Sequence, residues 1–167
     1  TDILNAMPPY QGGGDMIDRV TLDGSTFATA PARFEAGTPA IAEVIGLGAA
    51  IDYVTHIGID NIRAWEEDLL EYATENLRKM EGIRIIGEAE DKAGIISFVM
   101  EGCPPADVAM ILDQCGVAVR TGHHCCQPLM TRFGVEGTIR ASFGLYNDKN
   151  DIDQLIDGLM KAKRMLV

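Results

Sequence analysis

Two spacings of hydrophobic residues follow one another along the chain from residue 38 onward, and their order constrains the fold more than any other feature. Spacing of three and four residues, typical of helices, marks residues 38–58, 60–82, 104–115 and 148–164. Short apolar stretches or strict alternation, typical of strands, mark residues 83–86, 95–100, 117–120 and 138–146. This irregular order predicts an α+β fold, in which a small sheet carries helices on one face.

The first 38 residues show a different pattern. Asp23-Gly24 is a hairpin turn signal between two partly apolar stretches, which predicts a β-hairpin over about 16–30. The prolines at 8–9 and the glycines at 12–14 predict a loop before it whose backbone can approach another molecule closely. Because a single hairpin is marginally stable, we expect this segment to pack against other structure.

The composition argues against two classes of partner. The 167 residues include 14 basic and 25 acidic side chains, giving a formal net charge of −11. Binding to nucleic acid or to an anionic membrane surface requires clustered basic residues, so we expect neither partner. No apolar run approaches the roughly 18 residues of a membrane-spanning helix.

Four cysteines occur, at positions 103, 115, 125 and 126. A domain of this size does not depend on disulfides, and adjacent cysteines rarely bridge each other, so we interpret them as reduced thiols of a cytoplasmic protein. Cys103 and Cys115 lie in apolar stretches, and we expect them to be buried as small hydrophobic residues.

Groups able to carry chemistry are concentrated after the strand predicted at 117–120. Arg120 ends that strand, and His123, His124, Cys125 and Cys126 follow within one loop. Nearby cationic side chains lower the pKa of a thiol, and a loop gives access to it, so this arrangement predicts an activated cysteine nucleophile. A zinc site is the main alternative, but four contiguous ligands converge poorly on one ion, and we predict no metal.

Arg140 is the second candidate group. It stands among apolar residues on the strand predicted at 138–146. A guanidinium can bind a carboxylate with two parallel hydrogen bonds, and the strand register brings Arg140 toward the Arg120 loop. A surface arginine on an exposed strand face is the alternative for this residue.

Several motifs together resemble one enzyme family over essentially the whole chain. The segment Arg120-Thr121-Gly122-His123-His124-Cys125 with Pro128-Leu129 resembles the catalytic loop of the SufS-type cysteine desulfurases. Further similarity lies at 7–9, 12–17, 33–39, 140–142 and 146–147, in the same order and spacing. The family resemblance implies a small C-terminal domain of a fold-type I, class V aminotransferase enzyme.

The resemblance also implies an activity. The family uses pyridoxal phosphate, is dimeric, and removes sulfur from L-cysteine to give L-alanine and a persulfide on an enzyme cysteine. That sulfur serves iron–sulfur cluster assembly, and the SufS branch delivers it to a dedicated sulfur-acceptor protein.

Family roles extend to individual residues by motif. By this resemblance Cys125 is the nucleophile that becomes the persulfide, and His123 and His124 flank it. Arg140 resembles the group that binds the substrate carboxylate, and Arg120 lies in the same loop region. Thr38, in the Gly37-Thr38-Pro39 motif, resembles the residue that reaches the cofactor phosphate of the neighbouring subunit.

Two features depart from the family pattern. Cys126 places a thiol where many relatives have none. The lysines, at 79, 92, 149, 161 and 163, do not lie in a context like the family's Schiff-base lysine. We therefore expect the chain to be part of a larger or split enzyme and inactive alone, with 1–38 a remnant of the large cofactor domain and 39–167 the small C-terminal domain.

Two other functions fit the same residues. A catalytically inactive module could retain this domain as a docking surface for a sulfur-acceptor protein. A related pyridoxal-phosphate-dependent lyase could share the fold and use other chemistry. The activated loop around Cys125 favours the desulfurase over a lyase that needs no thiol.

Overall fold

A computed structural model describes all residues, 1–167. Its internal contacts divide the chain into two compact units, Thr1–His56 and Ile57–Val167. The site that the sequence predicts around Cys125 lies in the second unit, and Thr38 lies in the first.

The first unit contains a short helix, a hairpin and a long exposed helix. In chain order these are α1 (Asp2–Ala6), β1 (Ile17–Thr21), β2 (Gly24–Phe27), a 3₁₀ turn at Ala32–Phe34 and α2 (Ile41–Ile57). The two strands pair antiparallel, with Thr21 opposite Gly24 across the turn, so the predicted hairpin is confirmed. None of the residues of α2 is buried.

Arg33 organises the loop before and after the hairpin. Its guanidinium donates hydrogen bonds to the carbonyl oxygens of Asn5, of Met7 at 3.1 Å and of Ala28 at 2.9 Å. The Asn5 side chain in turn accepts from the amide of Ala30 at 2.7 Å. One charged side chain therefore satisfies backbone carbonyls from both ends of the segment, which a loop without a ladder must otherwise leave to water.

The second unit holds a four-stranded antiparallel sheet and four helices. Its elements are α3 (Ile59–Lys79), β3 (Ile83–Ile86), β4 (Ile95–Met100), α4 (Pro105–Gln114), β5 (Arg120–Gly122), α5 (Gln127–Phe133), β6 (Thr138–Ser142) and α6 (Lys149–Leu166). The strand order is β3-β4-β6-β5, so β6 is a central strand. The α+β class and the small sheet flanked by helices are confirmed.

Alternation along the strands gives the sheet one apolar and one polar face. Phe98 pairs with Ile139 in the β4–β6 ladder, and both are fully buried in the core with residues of α3, α4 and α6. The intervening pair, Ser97 and Arg140, points to the opposite face because successive side chains alternate. The polar face is therefore free to form a site.

Several element boundaries differ from the prediction. Strand β5 begins at Arg120 rather than at residue 117, because Val117 and Val119 pack against the core before the ladder starts. Strand β6 ends at Ser142, after which the amide of Phe143 donates to the carbonyl of Gly94 at 2.7 Å. Helix α2 begins three residues after the predicted cap at Thr38, and α5 was not predicted.

No single helix is long and apolar enough to cross a membrane. The consecutive helices α2 and α3 reach that length and apolarity only when they are taken together.

The start of α6 contains a complete capping box. Asp148 accepts hydrogen bonds from the amides of Asn150 at 2.8 Å and Asp151 at 3.3 Å, and the Asp151 carboxylate accepts from the Asp148 amide at 3.1 Å. The Asn147 side chain, which donates to the Asp151 carboxylate at 2.9 Å, and the Asp148 amide hold the pKa of Asp151 below its usual value. Reciprocal capping satisfies amides that the first helical turn leaves without partners.

We expect Asp148→Ala to lower the free energy of unfolding by about 1 kcal/mol, because the Asn150 and Asp151 amides lose their acceptor. Asp157→Ala, at an exposed position within the same helix, is the matched control and should have a smaller effect. Urea unfolding of both variants measures the difference, and equal midpoints would contradict a stabilising cap.

Candidate active site

A cavity of about 400 Å³ lies on the polar face of the sheet, between the strands and α5. Its polar lining comes from Ser97, Thr138 and Arg140 on the strands and from His123, His124 and Cys126 on the loop between β5 and α5. Its apolar lining comes from Ile86 on β3 and from Leu129, Met130 and Phe133 on α5. The structure therefore brings the predicted loop and the predicted arginine to one place.

The strand register pairs Arg140, which lines the cavity, with Arg120, which is exposed beside it and not part of the lining. Arg120 lies directly opposite Arg140 across β5 and β6, and Ser97 lies opposite Arg140 on the other side. Side chains paired in this way share a face with their Cβ atoms about 4.5–5.5 Å apart, and two like charges there repel. Neither arginine forms an ion pair within the chain. An anion bound between them would relieve this repulsion.

Arg140 is only partly exposed, and its Nε atom is buried without a hydrogen-bond partner. A buried N–H of a charged group without an acceptor is costly, because the protein has removed water without replacing its hydrogen bond. A carboxylate can accept two parallel hydrogen bonds from a guanidinium, one of them from Nε. Arg140 is thus prepared for an anionic ligand.

The loop carrying the thiols has an unusual backbone. His124 and Cys125 have φ angles of 52° and 59°, in the left-handed region that side chains other than glycine rarely adopt. The turn closes with a hydrogen bond of 2.9 Å from the amide of Cys126 to the carbonyl of His123. Residues in such conformations cost about 1–3 kcal/mol each and persist where the surrounding structure imposes them, often at functional sites.

The turn separates the two adjacent thiols. Both Cys125 and Cys126 are exposed, but Cys126 lines the cavity and Cys125 does not. Cys125 has a left-handed rather than an extended backbone, so its side chain and that of Cys126 do not follow the alternation of a strand. The curvature of the turn, not strand alternation, gives each thiol its own surroundings.

His124 is fixed by the sheet below it. Its Nε2 lies 2.9 Å from the Thr138 hydroxyl and 3.3 Å from the Thr138 carbonyl oxygen, and its Nδ1 is buried without a partner. Burial lowers the pKa of His124, and the positive charges of Arg140 and Arg120 lower it further, against the opposing effect of the Thr138 hydrogen bond. The ring is therefore neutral near pH 7.

The other two cysteines lie outside this cavity. Cys103 is buried, as expected, and burial raises the pKa of its thiol. Cys115 is only partly buried, and the Lys161 ammonium donates to its sulfur at 3.6 Å. No group of three or more His, Cys, Asp or Glu side chains has a geometry that could hold a metal ion.

Ser97, Thr138 and helix α5 also belong to the cavity, although they are not among the predicted site residues. The alternation of 138–146 placed Thr138 on the same face as Arg140, and that was the available signal. Ser97 gave none, since a lone serine inside an apolar strand has no distinctive spacing. Thr38 is exposed in the first unit, next to Gly37 with φ 85°.

We expect the free energy of unfolding to fall as the pH decreases below about 6.5, because the unfolded chain binds a proton that folded His124 binds only at lower pH. In His124→Asn this contribution disappears, so the difference in stability between pH 7.5 and pH 5 should shrink. His56→Asn, an exposed control in α2, should keep the full difference. Urea unfolding at both pH values tests this, and an unchanged dependence in His124→Asn would contradict it.

Comparison with known proteins gives a consistent family. Residues 1–155 match the model of the Aminotransferase class-V family. The chain is 49% identical over 163 residues to a protein named Probable cysteine desulfurase from Xylella fastidiosa, and 50% identical over 163 residues to one of that name from Staphylococcus aureus. These alignments cover 98% and 97% of the chain but only 39% and 40% of the relatives, so the chain spans about two fifths of their length.

The solved structures that are similar to this chain include cysteine desulfurases as well. The cysteine desulfurase CsdA of Escherichia coli, in an S-sulfonic acid form, superposes with a TM-score of 0.86 at 38% identity, covering 99% of this chain and 41% of that one. The apo cysteine desulfurase of Thermococcus onnurineus gives a TM-score of 0.84 at 38% identity, covering 98% and 41%. With its fold, its site loop and these relatives in agreement, the chain belongs to the class V aminotransferase family, within which it is similar to cysteine desulfurases.

Proposed function

We propose that this chain is the part of a cysteine desulfurase that supplies the sulfur-accepting thiol and the substrate carboxylate site. The observation that carries the proposal is the exposed Cys125 thiol on a strained turn, beside a cavity whose Arg140 guanidinium has no partner. The complete enzyme would convert L-cysteine to L-alanine and leave a persulfide on Cys125.

Arg140 binds the carboxylate of L-cysteine in this proposal. Two parallel hydrogen bonds from the guanidinium satisfy its buried Nε, and the charge of Arg120 opposite it in the ladder adds attraction. Ser97, paired with Arg140 on the other side, offers a neutral hydroxyl at the same level of the sheet. Binding through the carboxylate orients the substrate and leaves its sulfur free to react.

Cys125 reacts as its thiolate with the substrate sulfur. The new S–S bond joins Cys125 to that sulfur as the bond between the sulfur and the substrate β-carbon breaks, and a proton replaces sulfur on the carbon. Cysteine and enzyme thiol thus become alanine and enzyme persulfide, with no external oxidant or reductant. Cys125 lies on the left-handed turn and is exposed, and the reaction requires an accessible thiol.

His123 and Arg120 are the groups suited to stabilise the thiolate. His123 is exposed next to the turn, and Arg120 carries a permanent charge three residues before it. His124 is kept neutral by its burial, which lowers its pKa, so it adds little positive charge near pH 7. The two histidines that flank the nucleophile therefore contribute differently.

Pyridoxal phosphate, when bound in the complete enzyme, supplies the electron sink that allows the bond between carbon and sulfur to break. The residues of this chain fit one part of its site: Thr38 presents an exposed hydroxyl, next to a glycine of positive φ, that could donate to a phosphate oxygen. None of the five lysines lines the cavity. Those at 149, 161 and 163 contact Asp68, Cys115 and Glu81, and Lys92 donates to the backbone carbonyl of Gly87. We therefore place the Schiff-base lysine outside this chain.

The remaining parts of the proposal follow the family. Residues 1–38 would complete the large cofactor domain and 39–167 would form the small C-terminal domain of a cytoplasmic homodimer. The persulfide sulfur would pass to a sulfur-acceptor protein for iron–sulfur cluster assembly, as in the SufS branch. The support is the identity of 49–50% to cysteine desulfurases across nearly the whole chain.

In the complete enzyme we expect Cys125→Ala to abolish alanine formation and persulfide, because the sulfur then has no accepting thiol. Cys126→Ala is the matched control one residue away and should keep most of the activity, since the turn gives the two thiols different surroundings. Alanine and sulfide release under identical acceptor conditions measure both. Near-normal turnover by Cys125→Ala, or complete loss in Cys126→Ala alone, would show that Cys125 is not the thiol that accepts the sulfur.

Arg140→Lys should lower kcat/KM for L-cysteine by about tenfold to a hundredfold, because lysine keeps the charge but loses the two parallel hydrogen bonds. Most of the change should appear as a higher KM. Arg164→Lys, at an exposed position in α6, is the control and should leave both constants unchanged. An unaltered KM in Arg140→Lys would argue against carboxylate binding at this residue.

A further inference from the structure

Thr138 is the one polar residue of the chain that is fully buried, with only 1% of its surface exposed. It is the first residue of β6, where its side chain shares the polar face of the sheet with Arg140. A buried hydroxyl costs free energy unless a hydrogen bond replaces the one it made to water. Its partner therefore identifies what this residue does.

The partner is the imidazole of His124. Both the hydroxyl oxygen and the carbonyl oxygen of Thr138 lie within hydrogen-bonding distance of His124 Nε2, at 2.9 Å and 3.3 Å. Since a carbonyl oxygen can only accept, the Nε2–H of a neutral ring donates toward this pair of oxygens. The ring is thus held by a side chain and by the backbone of one strand residue.

This contact lies where the backbone of the loop is most strained. His124 and Cys125 are consecutive residues with positive φ, and neither is a glycine. The strand before them ends at Gly122, which pairs with Thr138 in the ladder, so the loop leaves the sheet directly over its own partner residue. The hydrogen bonds from the imidazole to Thr138 oppose any change of His124 to a negative φ angle. Because Cys125 is the next residue, they constrain its backbone as well.

We propose that Thr138 is a positioning residue that acts through His124 to hold the left-handed turn in which Cys125 is presented for reaction. The inference rests on the proposed function for Cys125 as the sulfur acceptor. It assigns His124 to the architecture of the loop and leaves its neighbour His123 as the histidine exposed beside the thiol.

The test compares Thr138→Val with Thr138→Ser in the complete enzyme. Valine keeps the shape of threonine without the hydroxyl, whereas serine keeps the hydroxyl. Losing one buried hydrogen bond should make amide hydrogen exchange of the loop at 123–126 about tenfold faster in the valine variant. The kcat for alanine formation should fall about tenfold with KM within about twofold, because Arg140 still binds substrate. Thr138→Ser should match the wild type in all three.

A second variant, His124→Asn, tests the same contact in case Thr138→Val folds poorly. His124→Asn keeps a residue that tolerates positive φ but removes the imidazole that reaches Thr138. It should reproduce the faster loop exchange and the lower kcat, and the double variant should be no worse than either single one. Exchange of the β3 and β4 amides, outside the loop, should stay unchanged in every variant.

Each outcome decides the proposal. Unchanged loop exchange in Thr138→Val and in His124→Asn would overturn it, as would faster exchange with normal kcat, because the turn would then not position the nucleophile. Additive losses in the double variant would show that the two residues act separately and would also overturn it. If the wild-type enzyme forms no alanine, the proposed function fails, and loop exchange alone then decides whether Thr138 holds the turn.

Discussion

The antiparallel pairing of β5 with β6 is the constraint on which the site depends. Three residue pairs in this ladder fix Arg120 against Arg140 and Gly122 against Thr138. The close approach at the end of the ladder leaves no room for side chains, since a Cβ on Gly137 would lie 3.2 Å from the Gly122 Cα atom. The short ladder thus sets both the pairing of the two arginines and the point from which the reactive loop departs.

The core supports this ladder from the opposite face. Ile139, between Thr138 and Arg140, is fully buried with Phe98 and Leu159, and together they hold β6 against the helices. A packed interior resists displacement because each side chain already fills its space. The polar face inherits that rigidity, which allows two repelling arginines and two strained loop residues to stay where an open loop would relax them.

Much of the second unit could be predicted from the sequence, because its signals were strong and local. The strands at Ile83–Ile86 and Ile95–Met100 have the predicted bounds, and the cap at Asp148 is confirmed with its hydrogen bonds. The expectation that the reactive loop and Arg140 would come together is supported by their shared cavity.

Helix α5 was missed because its seven residues include a proline at the start and are too few for periodicity to appear. The contact of Thr138 with His124 joins residues 14 apart through a turn whose backbone no residue type announces, so spacing could not reveal it.

Strand β6 carries both the residue that contacts the reactive loop, Thr138, and the residue of the anion site, Arg140. Thr138, beneath the loop, and Arg140, in the cavity, are separated by one residue of one strand, so the distance between them is fixed by the pleat of the backbone rather than by the packing of separate elements. A slip of this strand by one residue would turn both side chains into the apolar core and expose Ile139 and Ala141, which makes the misaligned pairing costly. The burial of Ile139 and Ala141 that stabilises the fold therefore also keeps Thr138 and Arg140 together on the face that forms the site.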